Sequence, residues 1–357
     1  MIHDIIAKEV KLVQNKKTNI EARVILILIC LGVFCGCFWV MNQTYDPLAR
    51  YPYATDENRD ILLQYLDSED IDYIISNQIR PEEFIEFIDE EGFNIRYCRL
   101  YYTAAKTQAQ SNAYIVNFVN RFRQHFSANT LKTLLEHYSY VDLTTFYENE
   151  AIRQQPLKLV ADPSQMFVIL NTDTSVYKYA PLNLVQTGSL LSLHENAAQA
   201  WERMENAYQS MLGSDASLGL VKGYTPYDQI FTEYTTLSQI NPERVDQVYL
   251  PAGQNEFQLG FTIGLQGYQE WINGLLAQET VDYAALKEGL EESLKVKISW
   301  LEENAYRYGF VIRYPQDKES VTGHLYNPFL LRYVGTENAR AMQENNKVME
   351  EMKLSEE

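Results

Sequence analysis

A catalytic metal centre needs three protein ligands, an open fourth position and a carboxylate that takes a proton from the metal-bound water. Beyond residue 42 the sequence offers four histidines, His125, His137, His194 and His324, and none sits in an H-x-x-x-H or H-x-H pair or beside a cysteine at ligand spacing. Each reads as a solvated or hydrogen-bonded structural side chain. Nucleophilic chemistry is also short of parts. There is no Gly-x-Ser-x-Gly elbow and no phosphate-binding glycine loop, and Cys98 stands on an apolar helix face with no histidine beside it. Adjacent acids such as Glu291-Glu292 and Glu302-Glu303 point apart by about 100° on a helix, so they read as a solvated face rather than an acid/base pair.

The most strongly patterned stretch runs from Trp300 to Gly335, W-L-E-E-N-A-Y-R-Y-G-F-V-I-R-Y-P followed after a short gap by T-G-H-L-Y-N-P-F-L-L-R-Y-V-G. It resembles the C-terminal core of the VanY-type D-alanyl-D-alanine carboxypeptidases, zinc enzymes that trim the stem peptide of the bacterial cell wall. Trp300, Asn304, Ala305, Tyr308, Gly309, Phe310, Arg313, Tyr314, Pro315, Thr322, Gly323, Pro328, Arg332, Tyr333, Val334 and Gly335 fit the family pattern. The resemblance implies that they serve as core, turns and a buried arginine pairing.

The same resemblance locates the missing chemistry. In the family, a Ser-x-His-x-x-Gly-x-x-x-Asp run supplies two zinc ligands, and a Glu-Pro-Trp-His run supplies the general base and the third ligand. The first run corresponds here to Gly253 to Gly264, which keeps Glu256, Gln258 and Gly260 but has Phe257 at the His position and Gly264 at the Asp position. The second reads Asn327-Pro328-Phe329-Leu330, with Asn327 at the base and Leu330 at the ligand. The resemblance thus implies a degenerate member without zinc ligands, catalytic Glu or cofactor, although zinc is expected in active relatives.

A third family element, Ser-Gly-Tyr-Arg-Ser, offers an Arg to the substrate carboxylate, a hydrogen bond to charge being worth about 1.5–3 kcal/mol. Here it reads Lys222-Gly223-Tyr224-Thr225-Pro226, with Thr225 at the Arg position. Lys222 is a point charge without the bidentate fork, so carboxylate capture in the family manner is expected to be weak. The vestigial cleft then comprises Lys222, Tyr224, Thr225, Asn255, Glu256, Phe257, Gln258, Gly264, His324, Asn327, Phe329 and Leu330.

These residues must be positioned by a chain of 357 residues in which 46% are hydrophobic, enough for a substantial domain and a smaller one. The net charge of −18, with no cluster of Lys and Arg, argues against nucleic acid as a partner. Val24 to Val40 is an uninterrupted apolar run, VILILICLGVFCGCFWV, and with its flank (24–42) it predicts one transmembrane helix. Lys8, Lys11, Lys16, Lys17 and Arg23 outnumber Asp4, Glu9 and Glu21 before it, which places the N-terminus (1–23) in the cytoplasm and the remainder outside. No small-x-small cleavage pattern follows Trp39-Val40-Met41, which favours an anchor over a signal peptide. Cys30, Cys35 and Cys37 lack the preceding small residues of a lipoprotein and read as apolar filler. Cys98 alone remains outside, so no intramolecular disulfide can staple that part.

The proline-containing segment 43–54 predicts a tether. Short amphipathic helices are expected over 55–156: one with Ile61, Leu62, Tyr65 and Leu66 on a face, one capped by Ser68, one opened by Pro81, then Asn94–Gln108, Asn112–Phe126, Thr130–Tyr138 and Leu143–Asn149. A lead-in of this kind resembles the segment before the peptidase domain in several Gram-positive VanY-like proteins. From 157 to 345 the pattern becomes α+β, with strand-like runs at Met166–Leu170 and Leu218–Val221 around a helix at Glu195–Leu212. The resemblance implies a small antiparallel sheet with flanking helices, and residues 346–357 read as a polar tail.

Two functional classes are then open. The first is a membrane-anchored, non-catalytic VanY-like protein that binds or scaffolds at the cell envelope, its partner a peptidoglycan stem peptide or an envelope protein. The second is an active cell-wall D-alanyl-D-alanine carboxypeptidase with ligands recruited from His194, His324, Asp228 and Glu256. The apolar lining expected of Phe257, Phe329 and Leu330 favours a peptide or protein segment over a free carboxylate.

Overall fold

The computed structural model describes residues 2–43 and 46–352, and the chain separates into two compact units, Met1–Arg99 and Leu100–Glu357. In the first unit, helix α1 (Ile2–Gln43) carries the stretch Ile20–Met41, 22 residues of mean hydropathy 2.8 with none of it buried, long and apolar enough to cross a membrane. Apolar residues spaced along the rest of this unit build a small core. Leu62 of α2 (Arg59–Tyr65) and Ile71 and Ile74 of α3 (Ser68–Ser76) pack with Ile79, Phe84, Ile88, Ile95 and Cys98.

Several local expectations change here. Leu48 and Tyr51 are nearly fully buried in this core, and the Tyr51 hydroxyl donates to the Ile79 carbonyl at 2.6 Å, so residues 46–54 are folded rather than a tether. Of the face expected on α2, Leu62 and Leu66 are buried while Ile61 and Tyr65 are exposed. The cap of α3 is Asp67, whose carboxylate accepts from the Asp70 amide; Ser68 is the first helical residue. Pro81 opens only a short 3-10 turn, Pro81–Glu83.

Helix α4 (Cys98–Thr107) starts within the last residues of the first unit, and the second continues with α5 (Asn112–Phe122), α6 (Ala128–His137) and α7 (Tyr140–Glu150). Ser127 and Ser139 cap α6 and α7 by accepting from Thr130 and Asp142 amides, and the rings of Phe118 and Tyr140 meet edge to face at 5.0 Å. Two strand pairs come next, β1 (Lys158–Leu159) parallel to β2 (Thr174–Ser175), and β3 (Leu184–Gln186) antiparallel to β4 (Ser192–His194). Helix α8 (Glu195–Leu212) covers the expected range.

The principal sheet has four antiparallel strands, β5 (Leu220–Lys222), β6 (Thr262–Leu265), β7 (Phe310–Tyr314) and β8 (Asn327–Tyr333), in the order β5-β6-β8-β7. Every residue of β6 is buried, as are six of the seven in β8. Between and after these strands lie α9 (Tyr227–Ser238), α10 (Val245–Val248), α11 (Tyr268–Ala277), α12 (Tyr283–Gly289), α13 (Glu292–Asn304), α14 (Glu319–Thr322) and α15 (Thr336–Glu344). The result is an α+β fold with small, mostly antiparallel sheets and flanking helices.

Met166–Leu170 is not a strand, because its carbonyls are engaged elsewhere. The Arg332 Nη2 donates to the Met166 and Val168 oxygens at 2.8 and 3.1 Å, and Thr174 Oγ1 donates to the Ile169 oxygen at 3.2 Å. The segment expected as a polar tail also folds back, since Met349 is buried in a short 3-10 turn and Glu350 and Glu351 pair with Arg313 and Lys318. Residues 353–357 of that tail lie outside the described residues.

Candidate functional site

Antiparallel pairing places directly opposed side chains on one face of a sheet. Lys222 pairs with Gly264 across β5 and β6, and Gly264 pairs with Leu330 across β6 and β8, so the three stand in a row. Phe257 comes from the 3-10 turn Glu256–Leu259, which ends at Gly260 in the left-handed conformation (φ 76°) that allows the chain to turn straight into β6. Phe257 and Leu330 line one small cavity of about 20 Å³ together with Val248, Tyr249, Tyr268, Tyr314 and His324. That is room for a single water.

Rings and aliphatic carbon form much of the cavity wall. The Phe257 and Tyr268 rings meet edge to face at 5.7 Å, and both side chains are 2% exposed. A Cβ placed on Gly264 would lie 3.1 Å from Lys222 Cβ and 3.2 Å from Tyr268 Cγ. At its rim the Lys222 ammonium pairs with Glu233 of α9, whose Oε2 also accepts from the Tyr249 hydroxyl. Burial lowers the Lys222 pKa. For Glu233, burial acts to raise the carboxyl, but the hydrogen bonds from Lys222 and Tyr249 outweigh it and hold the pKa low.

Beneath the cavity lies a buried ionic network. Arg313 Nε donates to both oxygens of Glu256 at 2.9 Å, and its terminal nitrogens reach Glu350 at 2.7 and 3.2 Å. Arg332 Nη1 stands 3.5 Å from Glu256 and donates to Thr262 Oγ1 at 3.3 Å. Burial opposes charge on both guanidiniums; the carboxylates of Glu256 and Glu350 overcome it for Arg313, whose pKa is raised, while that of Arg332 is lowered. This is the arginine pairing that the scaffold residues lead one to expect, with Glu350 added to it.

His324 stacks on Tyr314 with ring centroids 4.2 Å apart and is 5% exposed. Its Nδ1 has no hydrogen-bond partner, and burial, followed by the Arg313 charge, pushes its pKa down to about 4. His324 is therefore a neutral ring at ordinary pH.

Of the residues expected in the vestigial cleft, Asn255, Glu256, Phe257, His324 and Leu330 line the cavity. Gly264 and Lys222 adjoin it through the sheet register. The others are committed to structure. Gln258 is fully buried and donates to the Tyr177 and Tyr179 carbonyls, Thr225 Oγ1 donates to the Gly223 oxygen, and the Tyr224 amide donates to the Ser192 oxygen. Asn327 Oδ1 accepts from the Phe329 amide, and Phe329 packs against Trp271 at 6.1 Å and over Gly267. Glu233, Tyr249 and Tyr268 went unrecognised in the sequence, because no motif marks a glutamate on the following helix as the partner of Lys222.

The donor set does not fit a zinc ion. The three family ligand positions hold a phenyl ring, a glycine whose added Cβ would press on Lys222 and Tyr268, and an aliphatic chain, and none of these donates an electron pair to a metal. Among the described residues no three His, Cys, Asp or Glu side chains gather into a group able to hold one, so His194, His324, Asp228 and Glu256 do not converge. His194 instead stacks on Phe261 at 4.3 Å and accepts from the Asn196 amide. His137 pairs with Asp162 at 3.1 Å, and His125 stacks on Tyr147 at 4.4 Å.

Residues 190–336 match the family model described as VanY, D-alanyl-D-alanine carboxypeptidase. The putative carboxypeptidase YodJ of Bacillus subtilis (strain 168) is 27% identical over 221 residues, covering 60% of this chain and 76% of that protein. A D-alanyl-D-alanine carboxypeptidase of Enterococcus faecium is 41% identical over 85 residues, 24% of this chain and 26% of its own length. Among solved structures, the LdcB LD-carboxypeptidase aligns with TM-score 0.44 and 25% identity over 56% of this chain and 90% of its own. VanYB in complex with D-alanine-D-alanine aligns with TM-score 0.41 and 19% identity over 52% of this chain and 96% of its own. Over residues 190–336 the chain matches the VanY D-alanyl-D-alanine carboxypeptidase family.

Proposed function

We propose that this chain is a single-pass membrane protein, its N-terminus cytoplasmic, that displays a VanY-like domain outside the cell as a non-catalytic binding or scaffolding module of the envelope. The observation that carries the reading is the occupation of the three ligand positions by Phe257, Gly264 and Leu330 around a cavity of about 20 Å³. A peptidase site must admit a metal, a water and a peptide terminus, and this volume holds one water. The apolar helix Ile20–Met41 supports the anchor, and the excess of Lys and Arg before it supports the orientation.

The partner is a peptidoglycan stem peptide or an envelope protein. The small size of the cavity weighs against insertion of a peptide end into the cleft and for a surface contact. The test uses the full-length protein in detergent, assayed for metal content and for D-alanine release from a stem peptide ending in D-Ala-D-Ala. The expected result is neither stoichiometric zinc nor release. One zinc per chain with release of D-alanine overturns the reading and restores the carboxypeptidase. Retention on purified sacculi, compared with capture from membrane extract, then separates the two partners.

A further inference from the structure

The disagreement between this site and a zinc centre goes further than missing ligands. Side chains at 222, 264 and 330 share a face, so a carboxylate at 264 would rise on that face between Lys222 and Leu330. That direction is already taken, by the Lys222 stem at 3.1 Å and the Tyr268 ring at 3.2 Å from where its Cβ would sit. The Lys222 ammonium lies 4.9 Å from the centroid of Phe257 and 5.4 Å from that of Tyr249, both within cation–π range. Only 15% of the Lys222 side chain is exposed, and its charge is neutralised by Glu233.

We propose that the Lys222 ammonium, held by Glu233 and flanked by Phe257 and Tyr249, is the resident cation of this cleft, and that it and the Tyr268 ring bar a divalent metal from it. The inference rests on the non-catalytic reading above. Its physical content is that charge and volume both exclude the metal. Glu233, the carboxylate beside the ammonium, is already engaged by Lys222 and Tyr249 and so is not free to ligate a divalent ion, and a ligand side chain at 264 would press on the Lys222 stem and the Tyr268 ring. Putting the ligand side chains back is then insufficient to rebuild a metal site.

The test compares three forms of the full-length chain in detergent, titrated with zinc alone: the native chain; one carrying Phe257→His, Gly264→Asp and Leu330→His; and one that adds Lys222→Ser and Tyr268→Ala. The three-substitution form is expected to retain no more zinc after desalting than the native chain. The five-substitution form is expected to hold one zinc, at least ~100-fold tighter, a span comparable to what supporting residues contribute in metal sites. Equal, tight binding by both overturns the proposal, as does a folded five-substitution form that binds none.

A second measurement does not depend on those variants folding. Amine labelling followed by peptide mapping is expected to leave native Lys222 protected and to modify it at least ~10-fold faster after Glu233→Gln, which removes the partner of a partly buried charge. Labelling of native Lys222 at the rate of exposed lysines overturns the proposal. Native protein that binds zinc and releases D-alanine would instead refute the non-catalytic reading itself, so the two failures are distinct.

Discussion

Arg313 grips Glu256 through one nitrogen, its Nε lying 2.9 Å from each carboxylate oxygen, with both side chains almost excluded from solvent. A buried pair of this kind contributes little over an apolar replacement, yet removing one partner strands a charge. Glu256→Gln is therefore expected to lower the stability of the second unit by about 3–5 kcal/mol. Chemical denaturation followed by tryptophan fluorescence checks it, and a loss below about 1 kcal/mol contradicts the network as described.

The pH dependence of stability has a defined sign at His324. Its folded pKa is pushed down to about 4 by burial and by Arg313, against 6.5 for the free side chain. Between those values the unfolded chain binds a proton that the folded chain refuses, so stability is full above 6.5, falls as pH drops and is lost by about pH 4. The contribution is on the order of 3 kcal/mol. In melting profiles from pH 7.5 to 4, His324→Phe should flatten this segment relative to the native protein. Parallel profiles would contradict it.

Much of the architecture was legible in the sequence, for reasons that particular residues make plain. Glu195–Leu212 repeats apolar residues at helical spacing, with Ala198, Trp201, Met204 and Tyr208 buried on one side, and local periodicity alone defines it. Met166–Leu170 misled because a run of apolar, β-branched residues predicts a strand, whereas the partner of its carbonyls is an arginine more than 160 positions away. The candidate site divides in the same way. Phe257, Gly264 and Leu330 were found through the resemblance to the VanY family's motifs, while the pairings of Lys222 with Glu233 and of Arg313 with Glu350 depend on tertiary placement that no motif encodes.

Gly267 should not tolerate a side chain. Its φ is +100°, and a Cβ there would approach the Phe329 ring to 2.7–2.9 Å. Backbone strain and overpacking act together, and Gly267→Ala is expected to cost about 1–3 kcal/mol, measured by thermal melting. An unchanged melting temperature would show that the Phe329 ring is free to move aside.

Cys98 should be inert in the folded protein. It is 1% exposed, and burial pushes its thiol up to about 11. Peptide mapping after iodoacetamide treatment at pH 8 should find it unmodified in the native state and fully alkylated in denaturant. Alkylation of the native protein would show that the first core opens on the timescale of the reaction.

Chelation offers a simple control on the proposed function. On the proposed non-catalytic reading, overnight treatment with EDTA should leave the melting temperature and circular dichroism unchanged, since among the described residues no group of side chains is placed to hold a metal. A shift of several degrees would point to a bound ion.

The contact of Glu350 with Arg313 bears on how the chain is made. Two guanidiniums, Arg313 and Arg332, lie against Glu256, and the second carboxylate arrives only with residue 350, thirty-seven positions after Arg313. A chain made from its N-terminus presents both cations with a single counterion until that late segment arrives. The centre of the second unit thus reaches electrical balance only once residue 350 has been added, and a chain interrupted before it would be left with a surplus buried positive charge.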